Sequence, residues 1–362
     1  MRQNNWIKKI YVNRQVENSP LVERITDRLK AIPHQLVDCL EEVQAELRLA
    51  ADPIAESKRV LFLTREKAFI RPCPCSPGAV PCGYWTVDLN LNCPLDCSYC
   101  ILQAYFNLQP LTIAVNQEEL QSELDAFLAG TRSKVLRIGT GELGDSLALE
   151  AISHQASFLT DLFRKKKGVW LELKTKTAAI NSLLAVPASE NVVLAWSLNT
   201  ERIIKMEEIG SASLEERLRS AEKAVEHGFM VAFHFDPIVY YSGWEKEYGE
   251  VCESLLKKIP LAALAWVSLG TLRFPGKLRE IARQRFPHSS IYEEEMVRGR
   301  DGKFRYPRPL RMRIYQTLAE IFKAHNSGDK LYLCMESPAV WEDFSRQNKK
   351  GKQFASPFFW HE

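Results

Sequence analysis

Residues 84–100 read YWTVDLNLNCPLDCSYC, an apolar run that leads straight into three cysteines, Cys93, Cys97 and Cys100. The run has the composition of a strand buried on both faces. The C-x3-C-x2-C spacing then puts three thiols on the loop at its C-terminal end. Outward from it, KVLRIGT (134–140), VWLELKTKT (169–177), NVVLAWSL (191–198), FMVAFHF (229–235) and LAWVSLG (264–270) have the same character. Amphipathic helical patterns separate them. QEELQSELDAFLAG ends at Gly130; SLEERLRSAEKAVEHG opens on Ser213 with Glu216 three residues on and closes at Gly228, a capping box with a glycine stop. Strand and helix in alternation predict parallel pairing with right-handed crossovers. The expected fold is α/β, either a doubly wound sheet or a full or partial (β/α)6 barrel. In both, sites gather at the C-terminal ends of the strands, where the cysteine loop lies.

Residues 1–83 read as an N-terminal extension of helices and a strand, packed on a barrel of residues 84–270. SPLVERITDRLKAI has Ser19 as N-cap and Pro20 at the first helical position, a second helix is expected around HQLVDCLEEVQAELRLAA, and KRVLFLT reads as a strand. Residues 271–362 read as a C-terminal layer that carries a basic segment. With 362 residues and 46% hydrophobic content the chain can bury a sizeable core. No window approaches the ~18 uncharged apolar residues of a membrane span, and MRQNNWIKKIYVNRQ lacks the apolar core of a signal peptide. A cytoplasmic protein with no membrane partner is expected.

Nine cysteines, an odd number, favour metal ligation or buried thiols over a disulfide framework. Six form two groups, Cys73, Cys75 and Cys82, then Cys93, Cys97 and Cys100; Cys39, Cys252 and Cys334 stand alone. A zinc ribbon brings two C-x2-C knuckles and a closed ferredoxin-type cluster a fourth local cysteine. No fourth follows here. Three thiolates on one tight loop suit three irons of a 4Fe-4S cubane, with the fourth iron open to a small molecule. The competing reading is a structural zinc completed by a distant residue. RPCPCSPGAVPCGYW sets the other three cysteines among prolines and glycines, a stiff loop that loses little conformational freedom on binding a metal. It reads as a second metal site, iron-sulfur or zinc, as a hydrogen donor or electron relay, or as ordinary reduced thiols.

Polar residues end the other strands. Gly139, Thr140, Gly141 and Glu142 follow the second, with glycines that permit close approach and a carboxylate able to accept from an ammonium group. Lys176 ends the third, Ser197 and Asn199 the fourth, and His234 and Asp236 the fifth. All converge on one mouth if the sheet curls. Farther on, MVRGRDGKFRYPRPLRMR mixes Arg298, Arg300, Lys303, Arg305 and Arg308 with aromatic rings, a composition suited to phosphate contacts and base stacking. GRDGKF reads as a hairpin turn. With a net charge of only +3, any preference for nucleic acid rests on this local cluster.

The cysteine triad after a first barrel strand resembles the radical S-adenosylmethionine (radical SAM) superfamily. LKTKTAAINSLL, AWSLNTERIIKMEEIGSASLEERLRSAEKAVEHGF and VAFHFDPIVYYSGWEKEY, together with KRVLFLTR and CSYCILQ, are similar to stretches of its spore photoproduct lyase family, from about residue 10 to residue 335. The resemblance implies a partial radical SAM barrel, a 4Fe-4S cluster on Cys93, Cys97 and Cys100, and S-adenosylmethionine cleaved to a 5′-deoxyadenosyl radical. It implies cofactor contacts from Tyr99, from the Gly139–Glu142 segment, and from Lys176, Ser197 and Asp236; Asn199 is a further candidate from its place at a strand end. It also implies DNA as partner, lesion repair as function, and an electron donor such as a ferredoxin or flavodoxin. The sequence departs from the family twice. The hydrogen-donor cysteine expected at the end of the second strand is replaced by Thr140 or Gly141, and the tyrosine expected after the third cluster cysteine is Ile101. Three functions stay open: a lyase-like enzyme acting on nucleic acid, a radical SAM enzyme acting on a small molecule or peptide, and a zinc-containing nucleic-acid-binding protein without catalysis.

Overall fold

The computed structural model describes residues 6–131 and 135–347. Lys134, the first residue of the second strand candidate, therefore lies outside the described residues, as do the ends of the two terminal segments at 1–5 and 348–362. Seven parallel strands follow one another in space in sequence order: β1 (Tyr84–Val87), β2 (Leu136–Gly139), β3 (Val169–Thr175), β4 (Val192–Ser197), β5 (Met230–Ile238), β6 (Leu264–Thr271) and β7 (Leu331–Leu333). The sheet curls into a half barrel, and Ile70–Pro72 pairs antiparallel at its β1 edge. Six of the parallel strands are the six expected. β7 was not, because three residues are too short to show a period.

Register explains how the sheet is layered. Opposite side chains alternate faces, and the outward set Leu171, Leu173, Leu194, Trp196, Val231, Phe233 and Leu269 belongs to the main hydrophobic core. Each such side chain contributes roughly 1.5–3 kcal/mol by burial. The inward set is different. Tyr84 pairs with Arg137, Gly139 with Glu172, and Ser197 with His234, which pairs with Ser268. A small separate cluster of Val193, Ala195, Ala232, Trp266 and Tyr332 closes the barrel interior. The strands are thus apolar on the helix side and carry charged and polar groups among apolar ones within, and are not uniformly apolar as composition implies.

The helical signals hold. Ser213 and Glu216 form a reciprocal capping box on Leu214–Glu226, and Gly228 takes φ +96° just beyond it. Ser19 caps Pro20–Arg28. HQLV departs from the helix expected there: His34–Val37 is a strand parallel to Lys9–Asn13, and the helix begins only at Leu40. Glu42 accepts from the Asp38 and Cys39 amides, so the chain cannot become helical earlier.

The N-terminal layer is a second sheet of order His34–Val37, Lys9–Asn13, Val60–Thr64, Leu111–Ala114 and Asn90–Leu91. Its last two strands come from inside the barrel segment. The run YWTVDLNL therefore serves both sheets, Tyr84–Val87 in one and Asn90–Leu91 in the other, and the cysteine loop emerges where they meet. Among the described residues no helix is long and apolar enough to cross a membrane.

Candidate active site

The loop after β1 is tied down on every side. Asn92 adopts φ 66°, a left-handed conformation asparagine tolerates, and its side-chain oxygen accepts from the Cys93 amide at 2.8 Å. Asp96–Cys97 pairs antiparallel with Glu208–Ile209. Gln103 Nε2 donates to the Cys97 carbonyl at 2.8 Å, and Tyr292 Oη to the Ser98 carbonyl at 3.0 Å. Arg285 grips both oxygens of Asp96, at 3.0 and 2.8 Å. Lys58 Nζ donates to the carbonyls of Cys93 and Leu95, at 3.0 and 2.8 Å. Cys93 and Cys97 are buried and Cys100 half-buried.

These thiols suit a cluster. Burial pushes the Cys97 thiol up to about 12, so a thiolate there needs cationic compensation such as bound metal provides. Among the described residues no group of three or more His, Cys, Asp or Glu side chains is arranged to hold a single metal ion. The same observation leaves Cys73, Cys75 and Cys82 without a preformed single-ion site.

A cavity of about 300 Å³ opens beside the loop. The triad, Tyr99, Gly141, Glu142, Lys176, Ser197 and Asp236 line it, and so do Cys73, Cys75, Cys82 and Cys334. Seven of the nine cysteines thus face one space. The Cys75 thiol interacts with those of both Cys73 and Cys82, and its proton affinity is raised chiefly by Cys73. Tyr99 is held by a hydrogen bond to Glu208, with Lys176 Nζ 4.9 Å from its ring centre. Glu142 is engaged by Lys174 and Asp236 by both guanidinium nitrogens of Arg273, at 2.9 Å each.

Gly139, Thr140 and Asn199 do not line this cavity. A Cβ on Gly139 would lie 1.7 Å from the Tyr84 hydroxyl, so glycine is required there for packing and not for cofactor approach. Thr140 donates to Ser146 Oγ at 2.6 Å. Asn199 is buried, donates to the Pro237 carbonyl at 3.1 Å and accepts from Tyr248 Oη at 2.5 Å, tying the ends of β4 and β5 together.

The cavity floor joins His234, expected at the mouth, to Arg137 and Glu172, which the apolar strand runs conceal. Glu172 accepts from Arg137 Nη2 at 2.9 and 3.0 Å, from His234 Nε2 at 2.7 Å and from Trp266 Nε1 at 2.8 Å. Burial alone would raise the Glu172 carboxyl, but Arg137 and His234 hold it well below the usual carboxylate range. Burial keeps His234 below its ordinary value despite Glu172, so its Nε2–H donates to the carboxylate while Nδ1 accepts from Ser268 Oγ at 2.7 Å. The available signal was a charge inside an apolar strand run, Arg137 in VLRIG and Glu172 in VWLEL.

The basic segment forms the expected hairpin: Lys303–Arg305 pairs with Val297–Arg298 on one side and with Arg273–Pro275 on the other. Arg298 and Arg300 are exposed. Arg305 is paired with Asp301, and Arg308 with Asp343. Lys303 reaches inward, donating to Ser76 Oγ at 2.9 Å and lining the cavity.

A parallel half barrel with a three-cysteine loop after its first strand and a polar cavity at the strand ends defines the radical SAM class of fold. Residues 74–328 match the family model described as spore photoproduct lyase, so the chain belongs to the spore photoproduct lyase family. The spore photoproduct lyase of Clostridium acetobutylicum is 25% identical over 228 residues, 62% of this chain and 68% of that protein. The Bacillus subtilis protein is 22% identical over 228 residues, 62% of this chain and 67% of that protein. A solved spore photoproduct lyase complexed with dinucleoside spore photoproduct superposes with a TM-score of 0.77 at 17% identity, covering 90% of this chain and 98% of that one. A mutant form with bound AdoMet and the same dinucleoside also gives 0.77, at 18% identity over 91% of this chain and 98% of that one. The likeness confirms the partial barrel.

Proposed function

We propose that this protein is a radical SAM enzyme that repairs a spore-photoproduct-type thymine lesion in DNA, and that the hydrogen atom closing the reaction comes from the Cys73–Cys82 loop. The observation that carries this reading is the convergence of two cysteine groups, distant in role, on one cavity. Cys93, Cys97 and Cys100 would hold the 4Fe-4S cluster; Tyr99, Gly141, Glu142, Lys176, Ser197 and Asp236 would hold S-adenosylmethionine. When bound, this pair supplies a 5′-deoxyadenosyl radical that takes a hydrogen from the lesion.

The chain must then return a hydrogen to the product radical. Thr140 cannot, since a hydroxyl O–H bond is too strong. A thiol can: the S–H bond breaks homolytically, a C–H bond forms on the product, and the sulfur radical left behind takes one further electron from the reductant that supplies the cluster, and a proton, which restores the thiol. Cys75 is the favoured donor because it stands between Cys73 and Cys82 in a loop whose three cysteines line the cavity. Exchange with either neighbour breaks and makes the same type of bond. Arg298 and Arg300 would contact DNA phosphates, and Lys303, bonded to Ser76, links the hairpin to the thiol loop. On this reading 84–270 holds the cluster and the cofactor, 1–83 brings the donor loop and 271–362 the basic hairpin, and a ferredoxin or flavodoxin supplies the electron.

The test is anaerobic incubation of the reconstituted protein with reductant, S-adenosylmethionine and dinucleoside spore photoproduct. Thymine and 5′-deoxyadenosine should both appear; deoxyadenosine without thymine would exclude this lesion as substrate. Cys75→Ala should lower thymine formation at least about tenfold, a barrier increase of about 1.4 kcal/mol, while deoxyadenosine release persists. Unchanged thymine in the joint Cys73→Ala, Cys75→Ala, Cys82→Ala variant would exclude the loop as donor.

A further inference from the structure

Lys58 lies in the N-terminal layer, between the helix Pro53–Ser57 and the strand Val60–Thr64, in the stretch KRVLFLT that pattern reading treats as structural. Its side chain is only 5% exposed. Its nearest polar partners are two neutral groups, the carbonyl oxygens of Cys93 and Leu95 at 3.0 and 2.8 Å. The nearest carboxylate, Asp96, stands 3.8 Å away and is already gripped on both oxygens by Arg285. Two carbonyls do not offset the cost of taking an ammonium ion out of water, which amounts to several kcal/mol. A buried lysine in this position calls for negative charge close by.

The three-cysteine loop would provide it. Three thiolates on a cubane core leave the assembly net negative, and more so after it takes up an electron. Charge and hydrogen bonding around such a cluster are what set its reduction potential. Lys58 Nζ is bonded to the carbonyl of Cys93 itself and to that of Leu95, two residues before Cys97, so its charge lies at the base of the cysteine loop. We infer that Lys58 is a positioning residue that holds the loop and, through its charge, raises the potential at which the cluster accepts an electron. The N-terminal layer is then part of the redox site. This rests on the cluster assignment above but not on the identity of the substrate.

The experiment compares Lys58→Gln, which keeps a donor for the carbonyls and removes the charge, with Lys58→Arg, which keeps both, by iron content per chain and by spectroelectrochemical titration of the reconstituted cluster. Lys58→Gln should retain iron with a midpoint potential shifted to a more negative value, and Lys58→Arg should stay near the parent. Iron lost in Lys58→Gln and retained in Lys58→Arg would equally support a requirement for charge. A parental potential and full iron in Lys58→Gln would overturn the inference, as would iron loss or an equal shift in both variants. Absence of a cluster in the parent chain would instead refute the reading on which it rests.

Discussion

Two loops of three cysteines face the same cavity, yet the protein holds them very differently. The 93–100 loop is clamped by Lys58, Gln103, Arg285 and Tyr292 and by a strand pairing with Glu208–Ile209. The 73–82 loop has lighter ties: the Cys73 amide to the Tyr84 carbonyl at 2.9 Å, the Val80 amide to the Glu336 carbonyl at 2.8 Å, and Lys303 to Ser76. Its thiols interact with one another instead. A cluster needs its three ligands at set positions, whereas a hydrogen donor needs only an S–H bond within reach of a radical. The number of cysteines is equal, and the difference in the surrounding hydrogen bonds supports the separate roles proposed for the two loops.

The sharpest way to break this comparison is to remove thiols from each loop. Cys97→Ala should abolish stable iron binding and reduce deoxyadenosine release to background, whereas the joint replacement of Cys73, Cys75 and Cys82 by alanine should leave iron near four per chain. Iron and sulfide analysis after reconstitution decides it; a fall in iron in the joint variant would make the second loop a metal site after all. Next in size is the clamp. Arg285 is 8% exposed and engages Asp52, Asp96 and Gln103. Arg285→Met leaves Gln103 Oε1 without this donor and Asp96 with Lys58 alone at 3.8 Å, and should cost about 1–3 kcal/mol, read as a lower denaturation midpoint of the apo chain. By contrast, Lys303→Met, which removes a tie of the lighter loop, should cost about 1 kcal/mol or less in the same measurement.

The smallest effect concerns the floor that both loops overlook. Burial holds His234 below its ordinary value of about 6.5, so below that pH the unfolded chain binds a proton that the folded chain resists. Stability is present above about pH 6.5 and declines as pH falls toward the folded value. Thermal melts of the apo chain across this window should show the decline, and His234→Gln should flatten it.

Parts of this architecture were readable from pattern alone. Six strands are legible as apolar runs, and the Ser213 box and the GRDGKF hairpin rest on contacts within a few residues. The HQLV strand was hidden because three of its four residues are exposed and it shows no apolar run, and β7 because it is too short to display a period. Within the site, Tyr99, Lys176, Ser197 and Asp236 do reach the cavity. Gly139, at the end of the second strand, owes its glycine to Tyr84, a residue on another strand, which spacing cannot reveal.

By itself the sequence determined the parallel α/β order, the three-cysteine loop at the end of the first strand, and the missing thiol at Thr140 and Gly141. These are matters of period and residue type along the chain. Only the tertiary structure decided that Cys73, Cys75, Cys82 and Cys334 share a cavity with the triad, that Arg137, Glu172 and His234 form its floor, and that Lys58 lies against the ligand loop. Curling the sheet brings together inward-facing residues from strands far apart in the chain, and buried charges find partners in that shared space and not among their sequence neighbours.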